Sequence, residues 1–123
     1  MAWLRENLRR GFYKGVLCGD DRVAAFPDGG YLVNIDRRAN PGTHWTALAV
    51  RGPWAYYVDP AGYPPPKALH ESLLSAGRTT LCSDSRNQRE GTNCGLRAAL
   101  ALREFSRAPS DAAAARIFER LAE

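Results

Sequence analysis

The chain has 123 residues, 45% of them hydrophobic and 24% charged. That is the size and make-up of one soluble globular domain, spanning 1–123, and it is too little for two good cores. The net charge of +4, from 17 basic and 13 acidic side chains, is a modest excess; it fits a solvated basic surface, with weak attraction to nucleic acid as the sharper alternative.

No apolar run approaches the roughly 18 residues that a membrane helix needs. The opening MAWLRENLRR lacks the apolar centre of a signal peptide. The expectation is an intracellular protein with no membrane association. Three cysteines, Cys18, Cys82 and Cys94, are an odd number with no close pair. That spacing argues against a disulfide framework and against a zinc knuckle, so no metal site is expected.

Residues 2–10 read as a short helix with Trp3, Leu4 and Leu8 on one side. Residues 12–17 suit a short extended segment. Pro27-Asp28-Gly29-Gly30 reads as a tight turn, with glycine available for positive φ. Strands are expected over 31–35, 44–50 and 54–58, where aromatic and β-branched residues concentrate. Asn40-Pro41-Gly42 reads as a further turn, and the short link Arg51-Gly52-Pro53 predicts a hairpin between the last two strands. A proline-rich loop over 60–66 leads into a helix over 67–76 that Gly77 stops. Residues 79–82 suit a short strand, 83–93 a polar irregular segment and 94–105 a helix. Ser110 is a candidate cap for a last helix whose apolar Ile117, Phe118 and Leu121 share one side. The resulting class is α+β, a small central mixed or antiparallel sheet flanked by helices.

Four residues in this layout fit one mechanism. Cys94 opens a helix after the polar Gly91-Thr92-Asn93. A thiol at a helix N-terminus faces the positive end of the dipole, which favours the reactive thiolate, and the free N–H groups of the first turn can receive an oxyanion. Gly95 lets the backbone come close to a substrate. A buried helix cysteine acting as a small apolar residue is the plainer alternative. His44 starts a strand after a turn. The other histidine, His70, lies mid-helix beside Glu71, where a solvent-facing role fits better. Asp59 ends the neighbouring strand. A hairpin would bring it beside His44, where a carboxylate can hold an imidazole in one tautomer; alternatively, Asp59-Pro60 only begins a turn. Gln88, six residues before Cys94, can donate its amide to an oxyanion.

The order His, Asp, Gln, Cys resembles that of the adenovirus-type proteases and, more distantly, the Ulp/SENP proteases of ubiquitin-like proteins. The resemblance rests on Gly42-Thr43-His44-Trp45-Thr46-Ala47-Leu48, on Tyr57-Val58-Asp59-Pro60-Ala61-Gly62-Tyr63, and on Gln88 with Asn93-Cys94-Gly95-Leu96. It takes in residues 11–105 through the segments at 15–21 and 31–36. It implies a papain-like core, with His44 as general base, Asp59 as orienting acid, Gln88 as oxyanion donor and Cys94 as nucleophile. Trp45 and Gly95 would flank the substrate, although core packing explains Trp45 equally well.

By the same resemblance the substrate is an extended polypeptide with glycine or another small residue at the cleaved bond. It would be a viral precursor matured in the virion, host nucleus or cytoplasm, or else a ubiquitin-like protein. DNA or a peptide can act as activator in such enzymes, although nothing in the sequence requires a cofactor. The chain departs from the pattern in its shortness, in having Asp59 where the adenovirus enzyme has Glu, in lacking a well-spaced cysteine for a cofactor peptide, and in carrying Arg97 where an apolar residue is frequent. A thiol acyltransferase, a non-catalytic binding module and a nucleic-acid-binding domain remain as alternative classes.

Overall fold

The computed structural model describes residues 2–35, 44–59, 61–83 and 94–122. In chain order the elements are α1 (Ala2–Asn7), β1 (Tyr13–Cys18), β2 (Gly29–Asn34), β3 (Trp45–Arg51), β4 (Trp54–Val58), α2 (Lys67–Ser75), β5 (Thr79–Cys82), α3 (Cys94–Ser106) and α4 (Asp111–Ala122). The strands form one five-stranded sheet in the order β1-β2-β3-β4-β5. The inner pairs, β2 with β3 and β3 with β4, are antiparallel. The outer pairs, β1 with β2 and β4 with β5, are parallel, so the sheet is mixed.

Strand alternation sorts the apolar side chains into two cores. Leu32, Ala47, Ala49, Tyr56 and Val58 point to one face, where they meet Leu4 and Leu8 from the N-terminal segment, Ala98, Ala101, Leu102 and Phe105 of α3, and Ala114 of α4. Tyr56 stacks on Phe105 with ring centroids 5.3 Å apart. Tyr31, Val33, Leu48, Val50, Ala55 and Tyr57 point to the other face, covered by Phe26 and by Leu69 and Leu73 of α2. A sheet covered on both faces explains why every residue of β2 is buried.

The β3–β4 hairpin expected from the sequence forms with Arg51 opposite Trp54. Its two-residue link has Gly52 at φ +56°, the position that a type II′ turn reserves for glycine. Gly77 adopts φ +77° and donates its N–H to Leu74 O at 3.0 Å, while Arg78 N–H reaches Leu73 O at 2.9 Å. This Schellman closure ends α2 and sends the chain straight into β5. Ser110 caps α4, its Oγ accepting from Ala113 N–H at 3.1 Å.

Two expectations are corrected. Gly29 and Gly30 do not form a turn; they open β2, paired with Val50 and Ala49. The physical reason is tertiary. A Cβ on Gly30 would lie 2.2 Å from Phe12 Cε2, so the Phe12 ring covers the strand where a side chain would stand. Trp3 does not share the buried side of α1, being 39% exposed while Leu4 and Leu8 are buried. The turn expected at Asn40-Pro41-Gly42 lies outside the described residues.

The buried tyrosines set an alkaline limit on stability. Burial pushes the Tyr31 phenol up to about 12, against a partial opposing effect of Arg78, and pushes Tyr57 higher still. Both groups therefore bind their protons more tightly folded than unfolded. Their contribution is intact below pH 10 and is lost as the pH rises toward the folded values. Unfolding free energies from urea titrations between pH 9 and 12 should fall with a slope that reaches about 1.4 kcal/mol per pH unit for each such tyrosine. A flat profile to pH 12 would contradict this.

Candidate active site

The hairpin decides the first contact. Because Ala47 pairs with Val58, the chain entering β3 and the chain leaving β4 lie at one end of the sheet. His44 directly precedes β3 and Asp59 directly follows β4. His44 Nε2 lies 2.8 Å from Asp59 Oδ1. The imidazole is 27% exposed, whereas the carboxylate is completely buried. Pairing through Nε2 assigns that nitrogen to the carboxylate and turns Nδ1 away from it. The His44 carbonyl also accepts from Ile35 N–H at 3.3 Å, which ties this residue to the end of β2.

Asp59 is held on several sides. Its Oδ1 accepts a second hydrogen bond from Ala61 N–H at 2.7 Å, and its carbonyl accepts from Gly62 N–H at 2.9 Å. Asp59 thus both holds the chain that follows it and faces His44. Its Oδ2 is buried and makes no hydrogen bond with the described residues.

Helix α3 starts at Cys94. It packs against the sheet through Ala98, Ala101, Leu102 and Phe105. Its first turn reaches the His44 end of the sheet, since a Cβ on Gly95 would lie 3.6 Å from Trp45 Cδ1. Trp45 is half-buried against the same core, so it has a packing role and also spaces the helix start from the strand entry. The backbone of Cys94 therefore lies next to the residue that follows His44. The thiol of Cys94 is not among the described side chains, and Gln88 lies outside the described residues.

The remaining sequence expectations sort simply. His70 is exposed on α2 and Arg97 is exposed on α3. Cys18 and Cys82 are free cysteines, the first buried and the second exposed; partial desolvation nonetheless pushes the Cys82 thiol up. Among the described residues no group of three or more His, Cys, Asp or Glu could hold a metal ion, and no helix is long and apolar enough to cross a membrane.

Sequence reasoning missed Ser83. It is 2% exposed, and its hydroxyl contacts the Asp59 backbone twice, accepting from Asp59 N–H at 3.0 Å and donating to Asp59 O at 3.2 Å. Only the parallel pairing of β5 with β4 brings it there, 24 positions along the chain. Comparison of the sequence with models of known protein families gave no match, and comparison with curated proteins gave none either.

Proposed function

We propose that this chain is a thiol hydrolase, a cysteine endopeptidase with a papain-like core of the adenovirus-protease kind, acting on polypeptides with glycine or another small residue at the cleaved bond. One observation carries the reading. His44 is bonded to a fully buried Asp59 at 2.8 Å, at the sheet end where the helix that begins with Cys94 approaches Trp45. A histidine that merely packed at a strand end would have no need of a buried carboxylate bonded to its ring.

In the proposed reaction the Cys94 thiolate attacks the scissile carbonyl carbon. The oxyanion is received by N–H groups of the first turn of α3 and by the Gln88 amide. The imidazolium of His44 gives its proton to the leaving amine, and an acyl thioester remains on Cys94. Water then attacks the thioester while His44 takes its proton, and the released carboxylate restores the thiolate–imidazolium pair. Asp59 holds the ring through Nε2 and stabilises its charged form. The steps use only groups of the chain, the substrate and water. The DNA or peptide activator, the viral or ubiquitin-like substrate, and the nuclear, cytoplasmic or virion setting follow from the resemblance alone.

The test is labelling with a peptide vinyl sulfone ending in Gly-Gly, followed by mass mapping. An adduct on Cys94 is expected. Adduct on Cys18 or Cys82 alone would overturn the proposal. Attaching the same electrophile to ubiquitin-like proteins, beside free peptides, separates a deconjugase from an endopeptidase of precursor chains. Gln88→Ala should slow hydrolysis about 100- to 1,000-fold, the usual loss for one oxyanion donor, with labelling of Cys94 retained.

A further inference from the structure

We infer that Ser83 is a positioning residue of this site, which fixes Asp59 so that its carboxylate stays aligned with His44; the inference rests on the catalytic reading of His44, Asp59 and Cys94. The last paired residues of the β4–β5 ladder are Tyr57 and Cys82, and Ser83 N–H extends the pairing to Tyr57 O at 3.0 Å. Asp59 lies beyond the last described pair of that ladder. In an extended chain the N–H and C=O of one residue point to the same side, which is why a neighbouring strand can bond both. A hydroxyl has one donor and two acceptor sites, so a single Oγ can meet both groups. Ser83 does this, accepting at 3.0 Å from Asp59 N–H and donating at 3.2 Å to Asp59 O. Its side chain thus bonds both backbone groups of the residue whose carboxylate holds the imidazole.

The two Asp59 backbone groups are not equally dependent on it. The carbonyl has a second partner in Gly62 N–H at 2.9 Å. The N–H is bonded to the Ser83 hydroxyl and, with Asp59 only 1% exposed, is shut away from bulk water. Removing the hydroxyl strands that donor and frees Asp59 to shift. The Oδ1 atom is shared between His44 and Ala61 at 2.8 and 2.7 Å, so a shift of the backbone is carried directly to the imidazole.

The experiment uses the whole chain and two readouts. One is the alkylation rate of Cys94 by iodoacetamide at pH 7. The other is the proton resonance of the His44 Nε2–H, detected by NMR without any turnover. Ser83→Ala should slow alkylation about tenfold, the equivalent of one lost hydrogen bond, and should broaden or remove the resonance by faster exchange. Ser83→Thr, which keeps the hydroxyl, should restore both, and it keeps the test decisive where the alanine variant folds poorly. In an Asp59→Asn background, Ser83→Ala should add little, because both changes act through the same contact. An unchanged rate and resonance in Ser83→Ala, or losses that multiply with those of Asp59→Asn, would overturn the role of Ser83. If Cys94 of the unmodified chain reacted no faster than Cys82, the catalytic reading itself would fail, while the Nε2–H resonance would still test the Ser83 clamp.

Discussion

Cys94→Ala and His44→Ala should each abolish hydrolysis of a Gly-containing peptide, with losses on the order of a million-fold. Members of a nucleophile–base pair act as a unit, so removing either one forfeits nearly the whole effect of both. In the proposed reaction the Cys94 thiolate forms the new bond; of the other cysteines, Cys18 is buried in β1, and Cys82, though exposed in β5, has its thiol pushed up by partial desolvation. Asp59→Asn should fall between the single knock-outs and the unmodified chain. An amide at that place keeps the volume but not the charge, and it can present an N–H to Nε2, which favours the wrong tautomer. Rates of cleavage and of vinyl sulfone labelling, measured on all three variants, check the order. Full activity in Cys94→Ala would end the proposal, and full activity in Asp59→Asn would remove Asp59 from it. Neither Cys94→Ala nor Asp59→Asn creates a large cavity, so circular dichroism should show the fold retained.

Leu102→Ala should cost about 2–5 kcal/mol of stability, the range for truncating a buried leucine. The side chain is completely buried in the cluster beneath the inner strands. It shares that cluster with Ala47 and Ala49 of β3 and with Tyr56 and Val58 of β4. Several of these neighbours are alanines, which have no long side chains to swing into the space, so the site collapses poorly and the upper half of the range is expected. For a domain of this size such a loss is a large share of the total. Urea unfolding followed by fluorescence gives the number directly. Because Leu102 lies on the helix that carries Cys94 to the sheet, the folded fraction of the variant should also label more slowly with Gly-Gly vinyl sulfone. A stability change below 1 kcal/mol would mean that α3 does not depend on this contact.

Some features were legible from residue order because their causes are local. Trp54 to Val58 and Thr79 to Cys82 are strands by composition, and α3 and α4 announce themselves through helix formers and a serine cap. The link at Gly52-Pro53 is short enough to force antiparallel neighbours. That alone predicts that His44 and Asp59, before the first strand and after the second, meet at one sheet end, and the 2.8 Å contact agrees. Pro27-Asp28-Gly29-Gly30 was misleading because its turn chemistry is a local preference. The Phe12 ring over Gly30 and the ladder to β3 outweigh it, and neither is visible in the four residues themselves.

The amino-acid sequence by itself determined which residues could do chemistry and the order in which they come, since charge, thiol and imidazole are properties of side chains. Periodicity determined the α+β class. Only the tertiary structure decided how that chemistry is supported. Parallel pairing of β5 brings Ser83 onto Asp59, tertiary packing leaves Asp59 buried, and the packing of α3 on the sheet brings Gly95 up to Trp45. These are contacts between segments far apart in the chain, set by which apolar faces must be covered, and no local pattern encodes them.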